Sequence, residues 1–167
     1  MRNINIEKIA DVVEGLCITA NYELNDDIRS VLEKGAELEA SETGRVVLKQ
    51  LVENARTAKN ERMPICQDTG MAVVFVELGQ DVHIAGGSLT EAINEGVRRG
   101  YGKGFLRKSV VSDPIERVNT GDNTPAVIHI DIKEGDRLKI TIAPKGFGSE
   151  NMSALRMLKP SDGLDGV

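Results

Sequence analysis

Apolar residues recur at helical spacing through the first third of the chain. Ile6, Ile9, Val13, Leu16 and Ala20 form one stripe and predict a first helix. Asn25 precedes Asp26 and Asp27, an arrangement suited to a helix N-terminus, and Ile28, Leu32 and Gly35 follow on one face. A third helix is expected from Ser41 through Val47, Leu48, Leu51, Val52 and Ala55. It should stop before Pro64, because proline disfavours helix in the residue ahead of it.

The period then changes. Met71–Leu78 is a β-branched run that reads as a buried strand, with Val82–Ile84 as its expected partner across Gly79–Asp81. Ser88 and Glu91 form a capping box that opens a helix carrying Leu89, Ala92, Ile93 and Val97. Gly100, Gly102 and Gly104 are expected to break it. Ala126–Ile132 and Arg137–Ala143 alternate in polarity and are joined by Lys133-Glu134-Gly135-Asp136, which predicts a β-hairpin. The pattern defines an α+β fold: an N-terminal helical layer over about residues 1–62, then a mixed α/β part with a β-hairpin over 63–167. No repeat or linker divides the chain, so a single domain is expected.

Composition narrows the function classes. A chain of 167 residues can bury a core without staples, and 40% hydrophobic residues is ordinary for a globular domain. Aromatics are 3% with no Trp, so Ile, Val, Leu, Ala and Met must build that core. A net charge of −5 argues against a nucleic-acid surface. No apolar run approaches the roughly 20 residues of a membrane span, and Met1–Lys8 lacks the apolar run of a signal peptide. A soluble cytoplasmic protein is expected.

Three polar or glycine-rich segments fall at the ends of predicted elements: Pro64–Gly70, Asn119–Pro125 and Lys145–Asn151. Cys66, flanked by Gln67, Asp68 and Thr69, suits soft-metal ligation or nucleophilic catalysis. On spacing alone a buried thiol and a functional thiol weigh equally. A thiol nucleophile would want a histidine, yet His83 and His129 both fall in predicted strands, where a structural role is favoured. Cys17 lies on the stripe of the first helix and reads as a small core hydrophobe. The Lys145–Asn151 loop could cradle an anion, although a plain strand-to-helix turn is slightly favoured. Arg98, Arg99, Arg107, Lys108 and Arg117 make the middle of the chain basic. Most read as surface charges, with one or two available to hold a carboxylate.

Taken together, PICQDTG, SVVSDP with NTGDNTPAVIH, and KGFGSENMSALRMLKPSDG resemble the alpha-subunit half of class I fumarate hydratases, a family that includes L(+)-tartrate dehydratases. The resemblance runs from about the third helix to Val167. It implies a hydro-lyase interconverting fumarate and (S)-malate on a [4Fe–4S] cluster held by three cysteines, with one iron open to substrate. Cys66 would be one ligand. Gln67, Asp68, Arg107 and the backbone at Gly148 would contact substrate, with Asp68 and Thr69 as catalytic candidates. The other two cysteines are expected beyond Val167, so the chain reads as a front portion that is inactive alone and partnered by a beta subunit in an oligomer. The alternatives are a tartrate dehydratase alpha subunit and, from a different class, a binding or assembly domain without a cluster.

Overall fold

The structure is a computed structural model. It describes the backbone of residues 1–167 and every side chain other than those of Ser149 and Glu150. The chain runs β1 (Arg2–Asn5), α1 (Ile6–Tyr22), α2 (Asp26–Leu38), α3 (Glu42–Glu61), β2 (Met71–Gly79), β3 (Val82–Ala85), α4 (Leu89–Lys103), β4 (Val127–Lys133) and β5 (Leu138–Lys145). Short 3-10 turns follow at Gly148–Met152, Pro160–Asp162 and Leu164–Gly166. The α+β class is as the periodicity predicts, and among the described residues no helix is long and apolar enough to cross a membrane.

The caps explain where the helices begin. Asn5 Oδ1 accepts from the Glu7 N–H at the start of α1, Ser41 Oγ from Gly44 at α3, and Ser88 Oγ from Glu91 at α4. Asn25 occupies the N-cap position of α2 without a side-chain cap bond. Helix α3 ends at Arg62, which takes the left-handed conformation two residues ahead of Pro64.

Three expectations are corrected, two of them about strand pairing. The strands forecast as a hairpin both exist, but β2 lies between them in the order β4-β2-β5. β4 runs parallel to β2 and β5 antiparallel to it, in registers such as Val74 opposite both Ile128 and Ile142. The alternation does mark two strands. What it could not reveal is that β2, the most apolar strand, has two edges to satisfy and takes both partners. Nor does Val82–Ile84 pair with β2. It pairs in parallel with β1, a four-residue strand inside the segment expected to be wholly helical.

The third correction concerns α4, which runs through Gly100 and Gly102 to Lys103. A Cβ on Gly96 would lie 2.5 Å from Val13 Cβ, and one on Gly100 would lie 2.8 Å from Cys17 Cβ. These glycines let α1 and α4 approach closely instead of ending the helix. That pair covers the sheet face formed by Ala72, Val74 and Val76, and Ile9, Val13, Cys17, Ile93, Val97 and Tyr101 complete the core. Cys17 is fully buried there, and burial pushes its thiol up to about 12. It is the inert core residue that its stripe position suggested.

Candidate functional site

The Pro64–Gly70 loop is tied down on both sides of its reactive residues. At its start the Ile65 N–H donates to the Asn21 carbonyl at 2.9 Å, and Asn54 Nδ2 donates to the Ile65 carbonyl at 2.8 Å. At its end the Tyr101 hydroxyl lies 3.0 Å from the Thr69 carbonyl and 3.2 Å from that of Gly70. Between these anchors Cys66 and Gln67 are exposed, with the thiol 3.3 Å from Gln67 Oε1. The thiol is thus held outward on a braced loop and does not pack into the core.

Asp68 is the polar hub. Its Oδ1 accepts from the Gly70 N–H (3.1 Å) and the Ser109 hydroxyl (3.3 Å), and its Oδ2 from the Phe147 N–H (3.4 Å). Burial pushes the carboxyl up, but those donors and the Arg107 guanidinium together hold it below the ordinary carboxylate range. The group is therefore ionised at neutral pH: a fixed negative charge and acceptor. Arg107 Nη1 lies 3.7 Å from Asp68 Oδ1, and the guanidinium is 63% exposed. So open a pair contributes little to stability, which leaves the arginine available to a ligand.

A cleft of about 630 Å³ opens beside this pair, lined by Asp68, Arg107, Lys108, Ser109, Arg117 and Phe147 among others. Three of its lining residues are cations. Arg98 and Arg99, by contrast, are engaged with Glu95, Asp122, Glu7 and Asp11. Of the basic residues in the middle of the chain, those at the cleft are thus the ones not consumed by pairing along α4.

Thr69 points the other way. It is buried, and its hydroxyl donates to the Arg107 carbonyl at 3.0 Å, so it ties the cysteine loop to the arginine segment. Gly148 is exposed one residue beyond Phe147 and opens the turn Gly148–Met152. Gly70 has φ of +61°, and a Cβ there would sit 2.1 Å from the Lys145 carbonyl oxygen. Glycine is required for the first and third loops to touch.

The residue that joins the second loop to the others is Asn123, which the sequence reading passed over within its own motif. It is fully buried. Its Oδ1 accepts from the Ser109 N–H (2.7 Å) and the Val110 N–H (3.2 Å), and its Nδ2 donates to the Gly70 carbonyl (3.0 Å). Its positive φ of 64° is a conformation asparagine tolerates better than most residues, a signal that an Asn before Thr-Pro could have given. Asn123→Ala should cost about 2–4 kcal/mol, because it strands the Ser109 and Val110 N–H donors and leaves the Gly70 carbonyl only the Tyr101 hydroxyl. Urea unfolding of the chain measures this, and a loss below about 1 kcal/mol would contradict the bracing role.

Asp122 fixes the same loop to α4. Its Oδ1 accepts from the Thr124 N–H and hydroxyl, and its Oδ2 from Arg98 Nε at 2.9 Å. Burial opposes ionisation, but these donors prevail and hold the carboxyl at about 2. A depressed folded-state value stabilises the fold above the unfolded value near 4, and that contribution disappears as pH falls through about 2. Wild type should therefore exceed Asp122→Asn by about 2 kcal/mol above pH ~4, with the gap closing toward pH ~2. A gap independent of pH would show that the charge is not what holds the loop.

Three loops thus meet beside a cleft lined by Asp68, Arg107, Lys108 and Arg117, with exposed Cys66 on the first of them. Comparison with known proteins gives this a family. The profile described as Fumarate hydratase (Fumerase) matches residues 10–167, and the chain belongs to that family. It is 39% identical over 96% of its length to a Methanocaldococcus jannaschii protein provisionally named L(+)-tartrate dehydratase subunit alpha, covering 58% of that protein. It is 38% identical over 70% of its length to Escherichia coli fumarate hydratase class I, anaerobic, covering 22% of it. An Escherichia coli L(+)-tartrate dehydratase subunit alpha is 27% identical over 97% of the chain and is covered to 54%. The chain thus spans little more than half the length of these alpha subunits.

Proposed function

We propose that this chain supplies one cluster ligand and part of the substrate pocket of a [4Fe–4S] hydro-lyase that interconverts fumarate and (S)-malate. The observation that carries the reading is the approach of the Arg107 guanidinium to ionised Asp68 at one cleft, with exposed Cys66 just ahead of Asp68 on the same braced loop. The donor set fits one corner of a cluster. Cys66 offers an accessible soft ligand, Cys17 is sealed in the core, and no group of three His, Cys, Asp or Glu that could hold a metal occurs among the described residues. A bound cluster would supply a Lewis acid for water addition and loss.

The chain's own residues do the rest of its share. Arg107 offers a planar fork for a carboxylate, and exposed Gln67 and the backbone about Gly148, each next in sequence to a residue that lines the cleft, would orient the substrate. Asp68 holds negative charge and can accept a proton from a neighbouring hydroxyl only when that donor is itself acidified, because its carboxyl is stabilised in the ionised form. Thr69 acts through position, keeping Arg107 and Asp68 in register. A beta subunit completes the enzyme on this reading, in line with relatives named as alpha subunits.

A tartrate dehydratase is the second reading. It rests on the 39% identity, over nearly the whole chain, to the protein named for that activity. The full-length subunit, reconstituted anaerobically with its partner, separates the two through kcat/KM for fumarate hydration and for L(+)-tartrate dehydration. Turnover of neither substrate at full iron loading would overturn both. The 167-residue chain alone should retain no stable cluster, since one thiolate cannot replace three. A durable, stoichiometric iron–sulfur absorption on the isolated chain would contradict that.

A further inference from the structure

The two outer strands of the sheet are finished differently. β5 carries Pro144 and lies against α1, whose Leu16, Thr19 and Ala20 line one groove with Ile140 and Ile142. That is how soluble proteins blunt an edge. β4 is the other edge and contains no proline over its seven residues. Ile130 and Ile132 share the core face with Val76 and Leu78, yet they are 48% and 68% exposed. The edge thus presents both unpaired backbone and uncovered isoleucines.

Its sequence is complementary to itself. If two β4 strands run antiparallel about Ile130, Ile130 meets Ile130 and Ile128 meets Ile132 on one face. On the other face His129 meets Asp131 and Val127 meets Lys133. His129 is exposed and oriented by stacking on Phe75, with ring centroids 5.2 Å apart and planes 15° from parallel. Asp131 already has Lys133 at 3.2 Å and retains an oxygen for a second partner. Partners in this register have the same parity, so outward-facing backbone meets outward-facing backbone. Moving the register by two residues sets Asp131 against Asp131, or His129 against His129. Moving it by one sets isoleucine against polar residues.

We propose that the free edge of β4 is a self-association surface, on which a second copy of this chain pairs antiparallel about Ile130 to make one continuous six-stranded sheet. The contact is isologous, as a two-fold dimer requires. Seven residues of pairing is a small interface, so association in the micromolar range is expected. The inference does not depend on the catalytic reading.

Position 130 is the one that meets itself, which makes the test specific. On a Cys66→Ser background, where the native exposed thiol is gone, Ile130→Cys should form an interchain disulfide under mild oxidation. Ile132→Cys should not, since its opposite is Ile128. Sedimentation of the otherwise wild-type chain should show a monomer–dimer equilibrium. His129→Glu should weaken it at least tenfold by opposing two carboxylates, and adding Asp131→Lys should restore it. A chain that stays monomeric at high micromolar concentration overturns the proposal. So does a dimer that His129→Glu leaves intact, or one in which Ile130→Cys fails to crosslink.

Discussion

Cys66→Ser, in the full-length subunit assembled with its partner, is expected to abolish both cluster content and activity, while Cys17→Ala leaves both nearly intact. The two thiols differ by environment and not by type. Cys66 stands in solvent on a loop braced through Ile65 and Gly70, so its sulfur can reach a ligand without moving the backbone. Serine at that position keeps the size but removes the soft donor, and a hydroxyl is a poor substitute for thiolate on iron. Cys17 is fully buried between α1 and α4, beside Gly100, and its thiol stays protonated across the physiological range. Its truncation resembles a small cavity change of about 1–2 kcal/mol, visible in unfolding but not in iron content. Iron and sulfide analysis of both variants decides the matter. Loss of the cluster in Cys17→Ala with retention in Cys66→Ser would reverse the assignment.

Arg107→Lys should lose more than about tenfold in kcat/KM, at least about 1.4 kcal/mol of transition-state binding, with cluster content unchanged. A dicarboxylate engaged at one end needs a fixed cation at the other, and a guanidinium fork matches a carboxylate better than an ammonium does. Three features of Arg107 support this expectation. Its backbone carbonyl is held by Thr69, its side chain is 63% exposed at the cleft, and its 3.7 Å approach to Asp68 is loose enough to yield to a ligand. A surface arginine paired with Asp68 for stability alone would give variants with wild-type kinetics. Such kinetics for both Arg107→Lys and Arg107→Ala, at full iron loading, would remove the residue from the substrate site.

The elements of this chain were legible because each follows from a local rule. Helices α1 to α4 and strands β2, β4 and β5 have the apolar period and caps that predicted them. The three loops were legible as candidates because glycine and polar residues cluster where the period stops. Cys66 stood out by its chemistry on such a loop, whereas Asp68 and Arg107 were singled out by the family resemblance. Residues that act by position were not legible. Asn123 and Tyr101 look like ordinary loop and helix residues until their partners, 53 and 32 residues away, are known.

The sequence by itself determined the element types, the core role of Cys17, the candidate chemistry and the family. Periodicity, side-chain character and motif order are properties of neighbours along the chain. The tertiary structure alone decided that β2 separates β4 from β5, that β1 holds β3, and that Gly96 and Gly100 admit α1 instead of ending α4. It also decided that Thr69 turns inward and that Asp68 is held ionised. Each of these outcomes depends on which distant surfaces compete for the same strand edge, helix face or hydrogen-bonding group. That competition is settled only when the whole chain is packed.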